Sequence, residues 1–311
     1  MRIAMGIGGE VLGAPESPLE VVEDARRAED AGFPAAWSVH LSRGVDALSM
    51  LAAAGTRTSR IELGVGVVPT YPRHPLALAQ QAATIQAICG GRLTLGVGVS
   101  HRPVIEGMHG IPYIRPAAHM REYLSVLIPL LREGSVSYRG DFYRVEGGFT
   151  VPGTSPVSVV VAALSPKMVR VAGELSDGAV TWLAGPRALE GWIVPGLRDA
   201  AAAAGRSRPR VVAALPVAVC GDADAGHAAA DEVFARYGGM ENYQRLLERE
   251  GASSPGELAI VGTESEVEKQ LRRYAEVGAT EFWPTVFPVG ADPEASVRRT
   301  WALLADLTPE L

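Results

Sequence analysis

Short apolar runs alternate with longer segments of helical period along the whole chain, eight times over, and this rhythm constrains the fold more than any single residue. The strand-length runs fall at 2–8, 35–39, 61–67, 93–98, 157–163, 178–182, 210–219 and 280–287. Helical segments lie between them at 18–32, 45–57, 75–88, 117–133, 166–175, 187–204, 223–249 and 264–277, and a last one covers 293–307. Pro18 and Pro75 suit first helical turns, and Gly32 and the Gly90-Gly91 pair suit helix stops. Parallel neighbours need crossover connections, so strand–helix alternation implies a parallel sheet. An open doubly wound sheet is the alternative, but eight regular units favour closure into an α/β (β/α)8 TIM barrel, with residues 1–311 as a single domain. The rhythm breaks after the fourth strand. Residues 99–116, rich in Gly, Pro and His, read as an insertion, and 135–149 reads as a hairpin turning at Gly140-Asp141. The stretch 251–262 reads as a loop.

Charge and composition exclude several functions. A formal net charge of -6 argues against a nucleic-acid surface, which needs a basic excess. Cys89 and Cys220 have no metal-like or CxxC spacing and sit in apolar surroundings, which suits a reducing cytoplasm. No apolar run is long enough to span a bilayer, and the N-terminus lacks the layout of a signal peptide. The expectation is a cytoplasmic protein acting on a small molecule, with no membrane partner.

In a closed parallel barrel the loops after the strands build the active site. That topology singles out Gly8-Gly9, His40, Gly66 to Tyr71, Val99 to Arg102, Ala162 to Ser165, Thr181-Trp182, the vicinity of Cys220, and Thr285 to Pro288. The set holds two histidines, many small residues and few charges. It has no carboxylate cluster of the kind a magnesium site needs. Lys167, one of only two lysines, lies at a loop–helix junction, which disfavours Schiff-base chemistry. No metal is expected. His74 reads as a helix-entrance residue, and His109, His119 and His227 lack metal-like partners. An apolar, open-backboned rim suits a flat aromatic cofactor.

Longer motifs carry a resemblance. They are Ala28-Glu29-Asp30-Ala31-Gly32-Phe33, Ala36-Trp37-Ser38 with His40, Arg60 to Gly66, Arg73-His74-Pro75, Ala79 to Thr84 and Gly90 to Gly98. Further on come Ala172 to Gly178, Gly262-Thr263-Glu264 and Tyr274 to Ala279. In this order and spacing the chain resembles the luciferase-like monooxygenase superfamily, and within it the coenzyme F420-dependent oxidoreductase branch. The resemblance spans nearly the whole sequence. It implies a luciferase-like barrel using F420, with FMN as the alternative cofactor, and by analogy a homodimer.

The resemblance also implies roles. The third strand would end in a bulge with a non-prolyl cis peptide at Gly66–Val67, behind the deazaflavin ring. Gly8, His40, Gly98, Val99 and Ser100 would contact the cofactor, and Ala162, Ala163, Leu164 and Ser165 would approach its phosphate. His40 or His101 would handle the proton that accompanies hydride transfer. Tyr71, Trp182 and Trp283 are candidates for the substrate pocket, although a large aromatic is more often core. Sugar-phosphate dehydrogenases of the branch carry acidic and Trp residues where this chain has Val39, Gly44 and His101, so that substrate class is disfavoured. The expected reaction is reduction of an activated C=C or C=N bond. An FMN-dependent monooxygenase and a non-catalytic flavin-binding barrel are the competing readings.

Overall fold

The computed structural model describes residues 1–8, 12 and 17–309. Its strands are β1 (Arg2–Ile3), β2 (Met5–Ile7), β3 (Ala35–Ser38), β4 (Glu62–Pro69), β5 (Leu93–Gly98), β6 (Ser135–Arg139), β7 (Arg144–Gly148), β8 (Ser158–Ala162), β9 (Gly178–Trp182), β10 (Arg210–Val219), β11 (Ile260–Gly262) and β12 (Glu281–Val286). The first apolar run is split between β1 and β2, and the split closes the ring. β1 pairs in parallel with β12 (Arg2 opposite Glu281), and β2 pairs with β3 (Met5 opposite Ala36). Ala4 lies between them and donates its N–H to Phe282 O at 2.8 Å. From β3 the order runs through β4, β5, β8, β9 and β10 to β12. The eight expected runs therefore form the barrel, and β6 and β7 stand apart as the expected antiparallel hairpin.

Local chemistry sets the helix starts. Ser17 and Glu20 form a capping box ahead of Pro18–Asp30, and Thr263 and Glu266 form another ahead of Glu264–Glu276. Asp46, His74, Ser165, Asp222 and Asp292 cap five more helices through side-chain acceptors.

Three sequence expectations need correction, and a fourth gains detail. Residues 223–249 form two helices, Ala223–Gly238 and Glu241–Glu250, because adjacent glycines at 238 and 239 are poor helix formers. The expected helix 187–204 is instead a succession of Pro186–Ala188, a π-helical turn Leu189–Ile193, and Val194–Ala203. Pro195 lacks an N–H to give the preceding turn, and the wider turn accommodates it. The loop 251–262 holds β11, which pairs with β10 at Val217 to Val219. The insertion 99–116 carries a short helix, Arg102–Gly107.

The barrel interior is layered. At the N-terminal ends of the strands, Arg2, Glu62, Arg210 and Glu281 form an ionic network with Thr94. Above it, Trp37 and Trp283 stack with centroids 5.3 Å apart and planes at 22°, among Ala4, Ala35, Val160, Val180, Val212 and Ala214. The two indoles fit because glycine faces each of them. A Cβ on Gly64 would fall 2.4 Å from the Trp37 ring, and one on Gly66 would fall 2.3 Å from Trp283.

Candidate active site at the barrel mouth

The ladder between β4 and β5 slips at one place. Val65 lies opposite Leu95 and Val68 opposite Val97, so Gly66 and Val67 together face Gly96, and the Gly66–Val67 peptide is cis. This is the expected bulge, at the expected bond. Around it the strand ends carry small residues. A Cβ on Gly98 would lie 2.4 Å from Val67 Cγ2 and 3.1 Å from Ala162 Cβ. Val67, Ala162 and Trp182 all pack on the inner Trp37–Trp283 cluster. Gly66, Val67, Gly98, Ala162 and Trp182 thus come together at the mouth.

The mouth backbone is unusual beyond the bulge. Ser100 after β5 and Leu183 after β9 both have φ of 58°, left-handed values that side-chain-bearing residues adopt at a cost of about 1–3 kcal/mol. Gly8 after β2 has φ 86°, a value open to glycine; Gly9 lies outside the described residues. After β8, Ala163 is buried, and Leu164 O accepts from Trp192 Nε1 at 3.1 Å. The Ser165 hydroxyl accepts from Met168 N as a helix cap.

His40 follows β3 and is half-buried. Its Nδ1 accepts from Ala47 N at 3.3 Å, which leaves the hydrogen of a neutral imidazole on Nε2. Burial pushes its pKa below the ordinary histidine value, with the Arg73 guanidinium adding to that and Asp46 opposing it. His40 is therefore a neutral hydrogen-bond donor at pH 7. His101 precedes the helix Arg102–Gly107 and lies against Tyr243, with centroids 5.8 Å apart; burial lowers its pKa too. Tyr243 belongs to a roof that sequence reasoning missed. Phe234 and Tyr237 from the same helix pair pack on Trp182, at 5.7 and 5.6 Å. Their helical spacing reads as ordinary core, and only the fold shows that this core covers the mouth.

Under that roof Trp182 Nε1 is buried with no acceptor among the described residues. An unspent donor beside small residues and a backbone bulge fits a planar heteroaromatic ring bearing carbonyl acceptors, such as a flavin or deazaflavin.

The other two pocket candidates differ in their surroundings. Trp283 packs on the inner cluster, meets the bulge at Gly66, and lines a cavity with the strand-end residues Gly8, Val39, Thr285, Val286 and Pro288. Tyr71 stacks on His119 (3.9 Å, 3°), neighbours Tyr113 and donates to Ile114 O at 2.7 Å, tying the insertion to the barrel. His119 is 3% exposed, its Nε2 lies 3.1 Å from Thr70 Oγ1, and burial pushes its pKa down to about 4. Between that value and the ordinary 6.5 the unfolded chain binds a proton that the folded chain does not, so stability rises with pH there. The contribution is complete above pH 6.5 and falls by about 3 kcal/mol as pH drops to 4. His119→Phe should flatten the dependence of Tm on pH across this window; a slope equal to the parent's would refute the assignment.

Comparison with known proteins agrees with this geometry. The family model described as luciferase-like monooxygenase matches residues 2–281. A Mycobacterium tuberculosis protein assigned by name to the coenzyme F420-dependent oxidoreductases is 31% identical over 258 residues, 77% of this chain and 73% of that relative. The 5,10-methylenetetrahydromethanopterin reductase of Methanopyrus kandleri is 28% identical over 255 residues, 76% of this chain and 72% of that one. Among solved structures, the coenzyme F420-dependent tetrahydromethanopterin reductase from the same organism superposes with a TM-score of 0.81 at 24% identity, covering 98% of this chain and 97% of that one.

Proposed function

The chain belongs to the luciferase-like monooxygenase family, and from that premise we propose that it is a coenzyme F420-dependent oxidoreductase that reduces an activated C=C or C=N bond of a small organic substrate. The M. tuberculosis relative, named as a coenzyme F420-dependent oxidoreductase, and the M. kandleri relative, named as a 5,10-methylenetetrahydromethanopterin reductase, support this reading. The observation that carries it is the Gly66–Val67 bulge, with Gly98 and Ala162 beside it and the Trp182 indole N–H unspent.

When bound, the deazaflavin supplies a hydride at its C5. Gly66 and Val67, with Gly98, Val99 and Ser100 beside them, would hold its ring. Ala162, Ala163, Leu164 and Ser165, ahead of helix Pro166–Leu175, would hold the phosphate near that helix's N-terminus. Gly8, after β2, would also contact the cofactor. His40, neutral and donating through Nε2, orients a carbonyl oxygen and stabilises charge that develops on it. His101 is the alternative proton-handling group. The Phe234, Tyr237 and Tyr243 roof excludes water.

Titration of the purified protein with F420 and with FMN tests this. F420 should bind saturably and at least about tenfold more tightly, a difference of ~1.4 kcal/mol. Tighter FMN binding would replace this reading with the monooxygenase one. Reduced F420 that no enone, imine or dehydroamino compound oxidises would remove the reductive assignment.

A further inference from the structure

The outer part of the roof is a short helix, Glu241–Glu250, that lies between Gly239 and Gly251. It packs on the helix Ala223–Gly238 and on the turn Pro186–Ala188 that follows β9. Its buried face is Tyr243, Leu246, Leu247 and Glu250, the i, i+3, i+4 and i+7 spacing of an apolar stripe. The last member is a carboxylate where that pattern calls for an aliphatic side chain. Burying a carboxylate is costly unless hydrogen bonds hold it, so its presence at this position marks a specific contact.

That contact is with the backbone just past β9. Glu250 Oε1 accepts from Ala188 N at 2.7 Å, and the N–H groups of Arg187 and Gly185 face the same carboxylate. Arg187 Nη1 donates to Glu250 O at 2.7 Å. A Cβ on Gly185 would lie 2.5 Å from Glu250 Oε2, so the close seat needs a glycine there. Tyr274, on helix Glu264–Glu276, also faces Glu250. Burial raises the Glu250 pKa above the ordinary value against the pull of its donors. Arg249 adds a more exposed tie, 4.8 Å over the Trp192 ring. About 10 Å of helix separates Glu250 from Tyr243. Tyr243 meets His101 at 5.8 Å and Tyr237 at 5.0 Å, and Tyr237 packs on Trp182. Arg102, beside His101, turns to Glu106 and the Tyr113 ring.

We propose that Glu250 is a positioning residue for the redox site: by pinning helix Glu241–Glu250 to the backbone of residues 185–188, it seats Tyr243 against His101 and Tyr237 against Trp182. The role depends on reach more than on charge. A leucine at 250 would fill the space, yet it would leave the Ala188 N–H without its acceptor and the helix free to tilt about the glycines that flank it. The consequence for catalysis, a dry mouth and a neutral His101, rests on the F420 reading of the site. The seating itself is a property of the protein without cofactor.

Two measurements on the full chain without cofactor test this: NMR titration of the histidine Cε1–H signals, with His101 assigned through His101→Gln, and amide hydrogen exchange. In the parent, burial should make His101 titrate below the ordinary histidine value. Glu250→Ala should raise that midpoint by at least about half a pH unit as His101 becomes wetted. It should also speed exchange across 241–250 by at least about tenfold, with the barrel strands and the other histidines unchanged. Glu250→Gln keeps an acceptor at the same reach and should match the parent. Glu250→Asp keeps the charge but is one methylene short, and should match Glu250→Ala. If Glu250→Ala does not fold, the Gln and Asp variants carry the same test. Parental titration and exchange in Glu250→Ala and Glu250→Asp would overturn the proposal. Faster exchange throughout the barrel would do so too, since Glu250 would then serve general stability. So would the reverse order, with Glu250→Asp like the parent and Glu250→Gln impaired, because charge and not reach would then matter. F420 titration of the parent protein reads the redox function separately, and its failure would leave the seating of the helix standing.

Discussion

Replacing Glu281 by leucine should cost the barrel about 3–5 kcal/mol, the largest stability loss expected from any single carboxylate in the molecule. Glu281 is 1% exposed at the start of β12. It pairs with Arg2 and with Arg210 Nη2 (2.8 Å), and its Oε1 accepts from Trp37 Nε1 at 2.5 Å. Glu62 is the second anion of the network, 3.1 Å from Arg2 and 2.7 Å from Arg210, and those two cations hold its pKa below the ordinary value against the effect of burial. Without Glu281, two guanidiniums share one carboxylate and the Trp37 N–H loses its acceptor. Leucine contributes apolar contact but cannot neutralise either cation. Glu281→Gln separates charge from hydrogen bonding, since its amide oxygen can still accept from Trp37, and it should cost less than the leucine variant. Thermal and urea unfolding followed by circular dichroism check both variants. A Glu281→Leu protein within about 0.5 kcal/mol of the parent would show the network to be ornamental. The network occupies the barrel end remote from the mouth, where side chains serve stability, so F420 binding at permissive temperature should survive the change.

The network also shows what the sequence can and cannot disclose. Strand–helix alternation reveals each of the eight ring strands, because buried parallel strands are apolar on both faces and β10 is buried almost throughout. Nothing local links Arg2, Glu62, Arg210 and Glu281, which meet only once the ring closes and aligns the strand starts. β11 is hidden because Ile260–Gly262 is too short for periodicity to register, and Pro255 nearby reads as a loop signal. The Gly66–Val67 bulge is legible through family resemblance rather than pattern, since glycine within a strand marks a close approach without saying to what. His40 and His101 are legible as strand-end residues from topology alone. The roof of Phe234, Tyr237 and Tyr243 is not, because it depends on elements far apart in the chain packing against each other. Gly96-Val97-Gly98 resembles the start of a dinucleotide fingerprint, yet these glycines make room for the neighbouring strand.

That room leads to the second large effect. A Cβ on Gly96 would lie 2.1 Å from Val65 O and 3.0 Å from Val67 Cγ1. The nearer obstacle is backbone in the middle of a parallel ladder and cannot rotate away, so β4 itself must shift. A Cβ on Gly98 meets Val67 Cγ2 at 2.4 Å, the end of a side chain that can change rotamer. Gly96→Ala should therefore destabilise the fold by about 1–3 kcal/mol through overpacking, and Gly98→Ala by less. Both should weaken F420 by at least about tenfold, since each moves Val67, by way of the backbone in one case and the side chain in the other. Gly107→Ala, where an added Cβ meets nothing within 4 Å, is the matched control and should change neither quantity. Unfolding curves and F420 titrations on the three variants keep the two effects apart. If Gly98→Ala bound F420 as the parent does, Val67 would not border the ring, and the bulge would be part of the barrel wall and not of the redox site.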